Sequence, residues 1–223
     1  MNFLKIRMEQ LIHIVKNKNI FVIEDCAEAI GSKINKKRVG TYGDCSTFSF
    51  YGNKTITTGE GGMALFNCEK VYEKAKLLRD HGMSKTKRYW HDLVGFNYRM
   101  TNLQAAVGVA QMERFDQIIK SKQNIFDFYN KKFIGKKGIL QLSVQPAKVT
   151  NSSWLYTLIL EKYINRDSLI NRLKNLGIDT RPSFNSLSDM PPYKGFIHSK
   201  IMKNSQLVSC LLYTSDAADE TCR

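Results

Sequence analysis

Lys54 sits in FSFYGNKTITTGEGGMALF, residues 48–66, a run of Ser, Thr, Gly and aromatic side chains otherwise poor in charge. Ser49 lies five residues ahead of it, and Gly59, Gly61 and Gly62 crowd in behind. A lysine amine has three common uses: it keeps a surface wet, clamps a phosphate, or attacks a carbonyl carbon. The phosphate-cradling pattern G-x-x-x-x-G-K-[ST] needs two glycines ahead of the lysine at fixed spacing. Only Gly52 stands in TFSFYGNKT. A nucleophile then remains beside a plain surface charge. An amine held in a low-dielectric pocket gives up its proton more readily and can form an imine. Nearby glycines would let the backbone approach a flat ligand closely.

Pyridoxal phosphate is a cofactor that uses such an amine. It needs a lysine to form the imine and an acid to pair with the protonated pyridine nitrogen, which makes the ring an electron sink. Hydroxyls, amides or a helix N-terminus hold its phosphate. Asp25, Ser49 and Lys54 supply these groups in order along the chain. Singly, each is commonplace.

The elements that must position them read as α/β. Met8, Leu11, Ile12 and Val15 follow helical spacing and predict a helix over roughly residues 6–17. IFVIED (20–25) predicts a strand buried on both faces of a parallel sheet. Its acids would then lie at the strand's carboxyl end, where ligands bind in open α/β sheets. GSKINKKRVGTYGD reads as an exposed turn or hairpin, and CSTFSF and GGMALF as short strands on either side of Lys54. EKVYEKAKLLRDHG predicts a helix closed by Gly82 as a left-handed cap. A long helix starts at Thr101 in TNLQAAVGVAQMERFDQIIK, with Leu103, Ala106, Val107 and Ala110 on one face.

The pattern shifts near residues 120–123, and NIFDFYNKKF predicts a second helix. Loop and a short strand follow, then a strand in WLYTLILE. RDSLINRLKNLGI predicts a helix with Asp167 as its N-cap and Gly177 past its last turn. Residues 1–122 therefore read as part of a large α/β domain and 123–209 as a small α+β domain. SCLLYTSDAADETCR continues no element. Residues 210–223 resemble a translated sequencing adapter and read as a non-native tail.

Composition sets the bounds. The chain has 223 residues, 43% hydrophobic and 24% charged, with a net charge of +14. The lysines are scattered over helix-like stretches, with no arginine-rich arm, zinc-finger spacing or aromatic RNA-binding signature. A solvated basic surface accounts for the charge and is compatible with a phosphorylated or nucleotide-bearing ligand. Cys26, Cys45, Cys68, Cys210 and Cys222 are odd in number and contain no C-x-x-C pair. No disulfide framework or metal site is expected, and the chain reads as cytoplasmic. The N-terminus lacks a secretory pattern, and no apolar run approaches the ~20 residues that span a bilayer.

VIEDCAEAIGS, FSFYGNKTITTGEGG, LLRDHGMSKTKRYWHDLVGFNYRMTNLQAAVGVAQMERF and LGIDTRPSF together resemble the DegT-type sugar aminotransferases, within them the perosamine-synthase-like group. The resemblance runs from about residue 8 to about residue 195. It implies the aspartate-aminotransferase fold, that of fold type I pyridoxal-phosphate enzymes: a large α/β domain with a mostly parallel sheet and a small C-terminal domain. It also implies a homodimer with shared active sites. The implied reaction moves an amino group, from glutamate, onto a nucleotide-linked keto-deoxy sugar such as GDP-4-keto-6-deoxymannose, for surface polysaccharide biosynthesis.

By the same resemblance, Lys54 is the imine lysine and proton shuttle, Asp25 pairs with the pyridine nitrogen and Ser49 binds the cofactor phosphate. Glu28 takes the place where many relatives carry Gln or His, near the cofactor ring. Asn97 is expected to reach the phosphate in the partner subunit, with Arg99 near the interface and the nucleotide-sugar cleft. Trp90 and His91 either line that cleft or pack within an ordered loop. Arg181 either contacts substrate or anchors the small domain.

Two departures from the family pattern stand out. Full-length relatives carry a substantial portion before the VIED strand, supplying sheet strands, a helix N-terminus for the phosphate and an aromatic that stacks on the ring. The chain therefore reads as a fragment that alone holds cofactor weakly and does not turn over. Ser186 and Ser188 stand where many relatives have Pro and His. The sequence admits two other readings. A sugar dehydratase of the same family has histidine in place of the lysine, which Lys54 argues against. A non-catalytic DNA-binding protein would use the +14 charge, and the ordered Asp25, Ser49, Lys54 and Asn97 argue against it.

Overall fold

The computed structural model describes residues 8–142, 145, 147–193 and 203–215. Among them two units form: residues 8–120 with 147–152, and residues 121–145 with 153–215. Positions 6, 7, 216–223 and Cys222 among the latter lie outside the described residues.

In the first unit, α1 (Met8–Val15) precedes β1 (Ile23–Asp25). Side chains alternate along a strand, and β1 runs exposed, buried, exposed. Its two acids thus face opposite ways, Glu24 inward with Ile23 and Asp25 on the other face. The predicted burial of this apolar stretch on both faces is not what forms, since Phe21 and Ile23 are 51% and 62% exposed. Among the described residues β1 has one strand neighbour.

β2 (Lys33–Ile34) and β3 (Lys37–Arg38) make the expected hairpin. Asn35 and Lys36 between them are both left-handed, at φ 50° and 68°, the signature of a type I′ turn. β4 (Cys45–Ser49) lies parallel to β1 with Asp25 opposite Thr47, and β5 (Gly62–Phe66) is antiparallel to β4. The core beneath gathers Phe50, Ile56 and Phe115 with Phe48, Met100 and Ile119.

α2 (Glu69–Arg79) ends in two successive left-handed residues, the expected Gly82 at φ 63° and His81 before it at φ 58°, and the Gly82 N–H reaches back to the Leu77 carbonyl at 2.9 Å. Gly82 is still required, because a Cβ there would strike the Leu93 carbonyl. α3 (Asn102–Glu113) starts with a capping box in which Thr101 and Gln104 satisfy each other's backbone N–H groups. The predicted single helix past Thr101 breaks at Arg114, and α4 (Phe115–Phe133) then runs without interruption through the residues 120–123 where a break was expected. Burial explains the shift: Phe115 is 7% exposed in the core, whereas α3 buries none of its residues.

In the second unit, β6 (Ile139–Leu142) pairs antiparallel with β8 (Tyr156–Leu160). The short β7 (Val149–Thr150) between them belongs to the first unit. It pairs with β2, and Ser152 there is fully buried, its N–H donating to the Ser32 hydroxyl at 3.0 Å. Phe126 and Tyr156 meet edge to face at 5.3 Å, and Tyr129 lies 4.9 Å from Tyr156, an aromatic core joined by Leu158.

α5 (Arg166–Asn175) is capped by Asn165, whose side chain accepts from the Ser168 N–H at 2.9 Å. Asp167, the predicted cap, lies instead in the first turn, where its charge suits the helix dipole. Gly177 closes the helix at φ 77°, with Ile178 N–H to Leu173 and Gly177 N–H to Lys174, the Schellman pattern. β9 (Thr180–Pro182), α6 (Lys203–Leu211) and β10 (Leu212–Ser215) complete the sheet in the order β6-β8-β10-β9. Residues 210–215 thus continue α6 and form a strand between β8 and β9, contrary to the reading that nothing after residue 209 continues an element.

Candidate active site

Lys54 rises from a loop that is fixed at several points. The Phe50 N–H donates to the Gly61 carbonyl and the Thr58 N–H to the Phe50 carbonyl, both at 2.9 Å. The Thr57 hydroxyl adds a bond to the same Phe50 carbonyl at 3.1 Å. Ile56, 2% exposed, anchors the loop from below. On this base the Lys54 side chain is 13% exposed, and its Nζ donates to Glu28 Oε1 at 3.0 Å.

Asp25 and Ser49 share one sheet face by strand parity. Asp25 is opposite Thr47 and Ser49 is two residues on, so both project from the sheet face opposite Glu24. The Asp25 carboxylate accepts from the Ala27 N–H at 3.1 Å, and the Ser49 hydroxyl accepts from the Tyr51 N–H at 3.3 Å. Asp25 is exposed, with one oxygen held by the turn. The Thr55 hydroxyl, next to Lys54 in sequence, is buried without a hydrogen-bond partner among the described residues.

Gly62 has a packing reason rather than a ligand's. A Cβ there would stand 2.6 Å from the Phe48 carbonyl across the β4–β5 pair.

Glu24 is the residue to which sequence reasoning gave no role. Its carboxylate is buried and accepts from three backbone N–H groups, those of Gly40, Tyr42 and Gly43, at 2.8, 2.6 and 2.7 Å. It holds the loop between β3 and β4. The alternation along IED was the available signal, since only one of two successive strand acids can face inward.

Cys26 follows directly and is 3% exposed. Burial, then the Glu24 and Asp25 charges, push its thiol up to about 12, so it stays neutral throughout the neutral range. Cys68 and Cys210 are exposed free thiols. Maleimide at pH 8 with peptide mapping is expected to modify Cys68 and Cys210 and to spare Cys26 until denaturant is added. Equal native labelling of Cys26 would contradict this burial.

Asn97, Trp90, His91 and Arg99 belong to a separate strap, residues 80–99. Asn97 is exposed and bridges to Asp80, which also pairs with Arg99 at 3.2 Å. Trp90 is 52% exposed, with Lys87 Nζ 3.7 Å over its ring. His91 Nδ1 donates to the His81 carbonyl at 2.9 Å. Arg181 lies on β9 in the other unit, exposed and 3.7 Å from Asp179. The structure thus joins Lys54 with Glu28, sets Asp25 and Ser49 on one sheet face, and gathers the remaining first-unit residues on the strap. The described residues hold no cluster of His, Cys, Asp and Glu that could bind a metal ion.

The model of the DegT/DnrJ/EryC1/StrS aminotransferase family matches residues 5–209. The chain belongs to this family. It is 44% identical over 186 residues to the GDP-perosamine synthase of Escherichia coli O157:H7, covering 83% of this chain and 50% of that protein. It is 45% identical over 189 residues to the GDP-perosamine synthase of Vibrio cholerae, covering 84% and 51%. A putative sugar aminotransferase of Streptococcus pneumoniae, solved in its PLP form, superposes with a TM-score of 0.80 at 25% identity, covering 91% of this chain and 54% of that one. The fold is accordingly the fold type I α/β architecture of the family's sugar aminotransferases. The chain spans about half the length of the relatives it matches.

Proposed function

We propose that this chain carries the lysine-bearing part of a pyridoxal-phosphate aminotransferase. Its reaction moves an amino group from glutamate onto a nucleotide-linked keto-deoxy sugar such as GDP-4-keto-6-deoxymannose, for surface polysaccharide biosynthesis. The observation that carries this reading is the Lys54 side chain, 13% exposed with its amine 3.0 Å from Glu28, and Asp25 and Ser49 projecting from one sheet face. The names of its perosamine-synthase relatives support the sugar.

The donor set fits the cofactor: a carboxylate and a hydroxyl stand on one face at the carboxyl ends of parallel strands, an amine follows on the next loop, and the Thr55 hydroxyl beside it in sequence has no partner among the described residues. When bound, pyridoxal phosphate supplies an electron sink for the carbon that gains or loses the amine. Lys54 Nζ is the attachment point and takes up and returns one proton. Asp25 would face the ring nitrogen, where its carboxylate would accept a hydrogen bond and favour the charged form. The Ser49 hydroxyl, already an acceptor from Tyr51, retains its proton to donate to phosphate.

The assembly is a homodimer in which Asn97 reaches the partner's phosphate site and Arg99, Trp90 and His91 flank the nucleotide-sugar cleft. Arg181 contacts substrate or anchors the small domain. Supporting the dimer, α3 buries none of its residues, and Leu103, Val109 and Met112 are 83%, 60% and 51% exposed. The enzyme works in the cytoplasm. No described helix is long and apolar enough to cross a membrane.

The test is an amination assay with the full product of this gene, glutamate, pyridoxal phosphate and a panel of nucleotide-linked keto sugars. The expected outcome is glutamate-dependent formation of an amino sugar from GDP-4-keto-6-deoxymannose, read by mass spectrometry. Conversion of no keto sugar in the panel would overturn the proposal.

A further inference from the structure

We infer that Glu28 is a positioning residue for the Lys54 amine, an anionic rest that holds Nζ at the strand ends until a carbonyl ligand displaces it. The two residues are 26 apart in sequence, yet their side chains meet at 3.0 Å. Both ends of this contact stand on fixed backbone. Glu28 projects from the turn after β1, which the Asp25 carboxylate braces through the Ala27 N–H at 3.1 Å. The Ala29 N–H adds a bond to the Cys26 carbonyl at 3.0 Å, and the Cys26 N–H a bond to Thr47 at 2.8 Å. Lys54 stands on the tethered loop described above, its own N–H bonded to the Tyr51 carbonyl at 3.0 Å.

The asymmetry of exposure matters. The lysine side chain is 13% exposed and the glutamate 45%. Glu28 can therefore swing into solvent at little desolvation cost, while the lysine stem stays packed. A lysine stem carries roughly 2 kcal/mol of rotamer entropy, so an acceptor at its tip narrows where the amine spends its time. The carboxylate lies one turn past Asp25. The purpose of the rest depends on the reading of Lys54 as an attachment point; the rest itself does not.

The experiment uses the 223-residue chain without cofactor. Lysines are acetylated with trace acetic anhydride, and rates at Lys54 are taken relative to exposed Lys70 by peptide mass spectrometry. Glu28→Ala is expected to raise the relative Lys54 rate on the order of two- to fivefold, the scale of a partly exposed ion pair. Glu28→Gln, which keeps an acceptor oxygen without the charge, is expected to fall between wild type and alanine. Thermal melting stays unchanged in both variants. A Glu28→Ala rate equal to wild type would overturn the proposal, as would a parallel rise at Lys70 with a lowered melting temperature. Borohydride trapping with added pyridoxal phosphate is run alongside. If trapping leaves no adduct on Lys54 while Glu28→Ala still changes its labelling, the cofactor reading falls and the positioning role stands.

Discussion

Lys54→Ala is expected to abolish the borohydride-trapped pyridoxal phosphate adduct at residue 54. In the full gene product it should lower transamination by at least ~10²–10⁴-fold, the scale of one positioned proton-transfer group. Alanine removes both the nitrogen proposed to attach the cofactor and the group proposed to carry the proton. Lys54→Arg separates charge from chemistry, because a guanidinium pairs with Glu28 but stays protonated and does not attack a carbonyl. Both variants should lose capture while keeping the fold. The Lys54–Glu28 contact is partly exposed, so its loss is worth no more than about 1 kcal/mol of stability. Trapping is the suitable readout because it records even brief occupancy, which matters if the chain alone holds cofactor weakly. An adduct of undiminished yield on another lysine in Lys54→Ala, with activity retained, would refute the assignment.

Glu24→Ala should do the opposite, leaving the reactive groups in place and weakening the fold. Three backbone donors, from Gly40, Tyr42 and Gly43, point at one carboxylate that is 8% exposed. Each buried donor left without an acceptor costs about 1–3 kcal/mol. Water can reach some of the vacated space, so the expected loss is roughly 3–5 kcal/mol in urea unfolding. Glu24→Gln should fall partway. Oε1 accepts from Tyr42 and Gly43 and Oε2 from Gly40, so an amide keeps one oxygen and turns its NH₂ toward a donor. Asp25→Ala is the matched control. That carboxylate is exposed and accepts from the Ala27 N–H, so stability should change by about 1 kcal/mol or less while capture at Lys54 weakens. Equal stability of Glu24→Ala and wild type would show that the loop after β3 does not depend on this anchor.

These paired outcomes mark where sequence reading stopped. Neighbouring acids in IED look alike on paper. Parity on a strand separates them, but which parity faces inward depends on which side of the sheet the core lies. The break at Arg114 was likewise out of reach, because the apolar spacing of TNLQAAVGVAQMERF continues smoothly across it. Whether Phe115 joins a core is a tertiary matter. The cap of α5 was misplaced by two residues: Asn165 and Asp167 are both good capping types, and the backbone of Asn165, extended at φ −76° and ψ 105°, decides between them.

The sequence by itself determined the candidate groups. A lone lysine followed by glycines, a serine five residues ahead of it and an acid closing an apolar strand name the proposed reactive groups, because residue type sets what an atom can do. Local spacing also settled most helices and short strands, and the longer motifs carried the family. The tertiary structure decided which of these groups meet. Glu28 and Lys54, Glu24 and the loop at Gly40–Gly43, Ser32 and Ser152 are joined across 26, 16–19 and 120 positions. Such contacts follow from strand pairing and burial, which local periodicity does not encode.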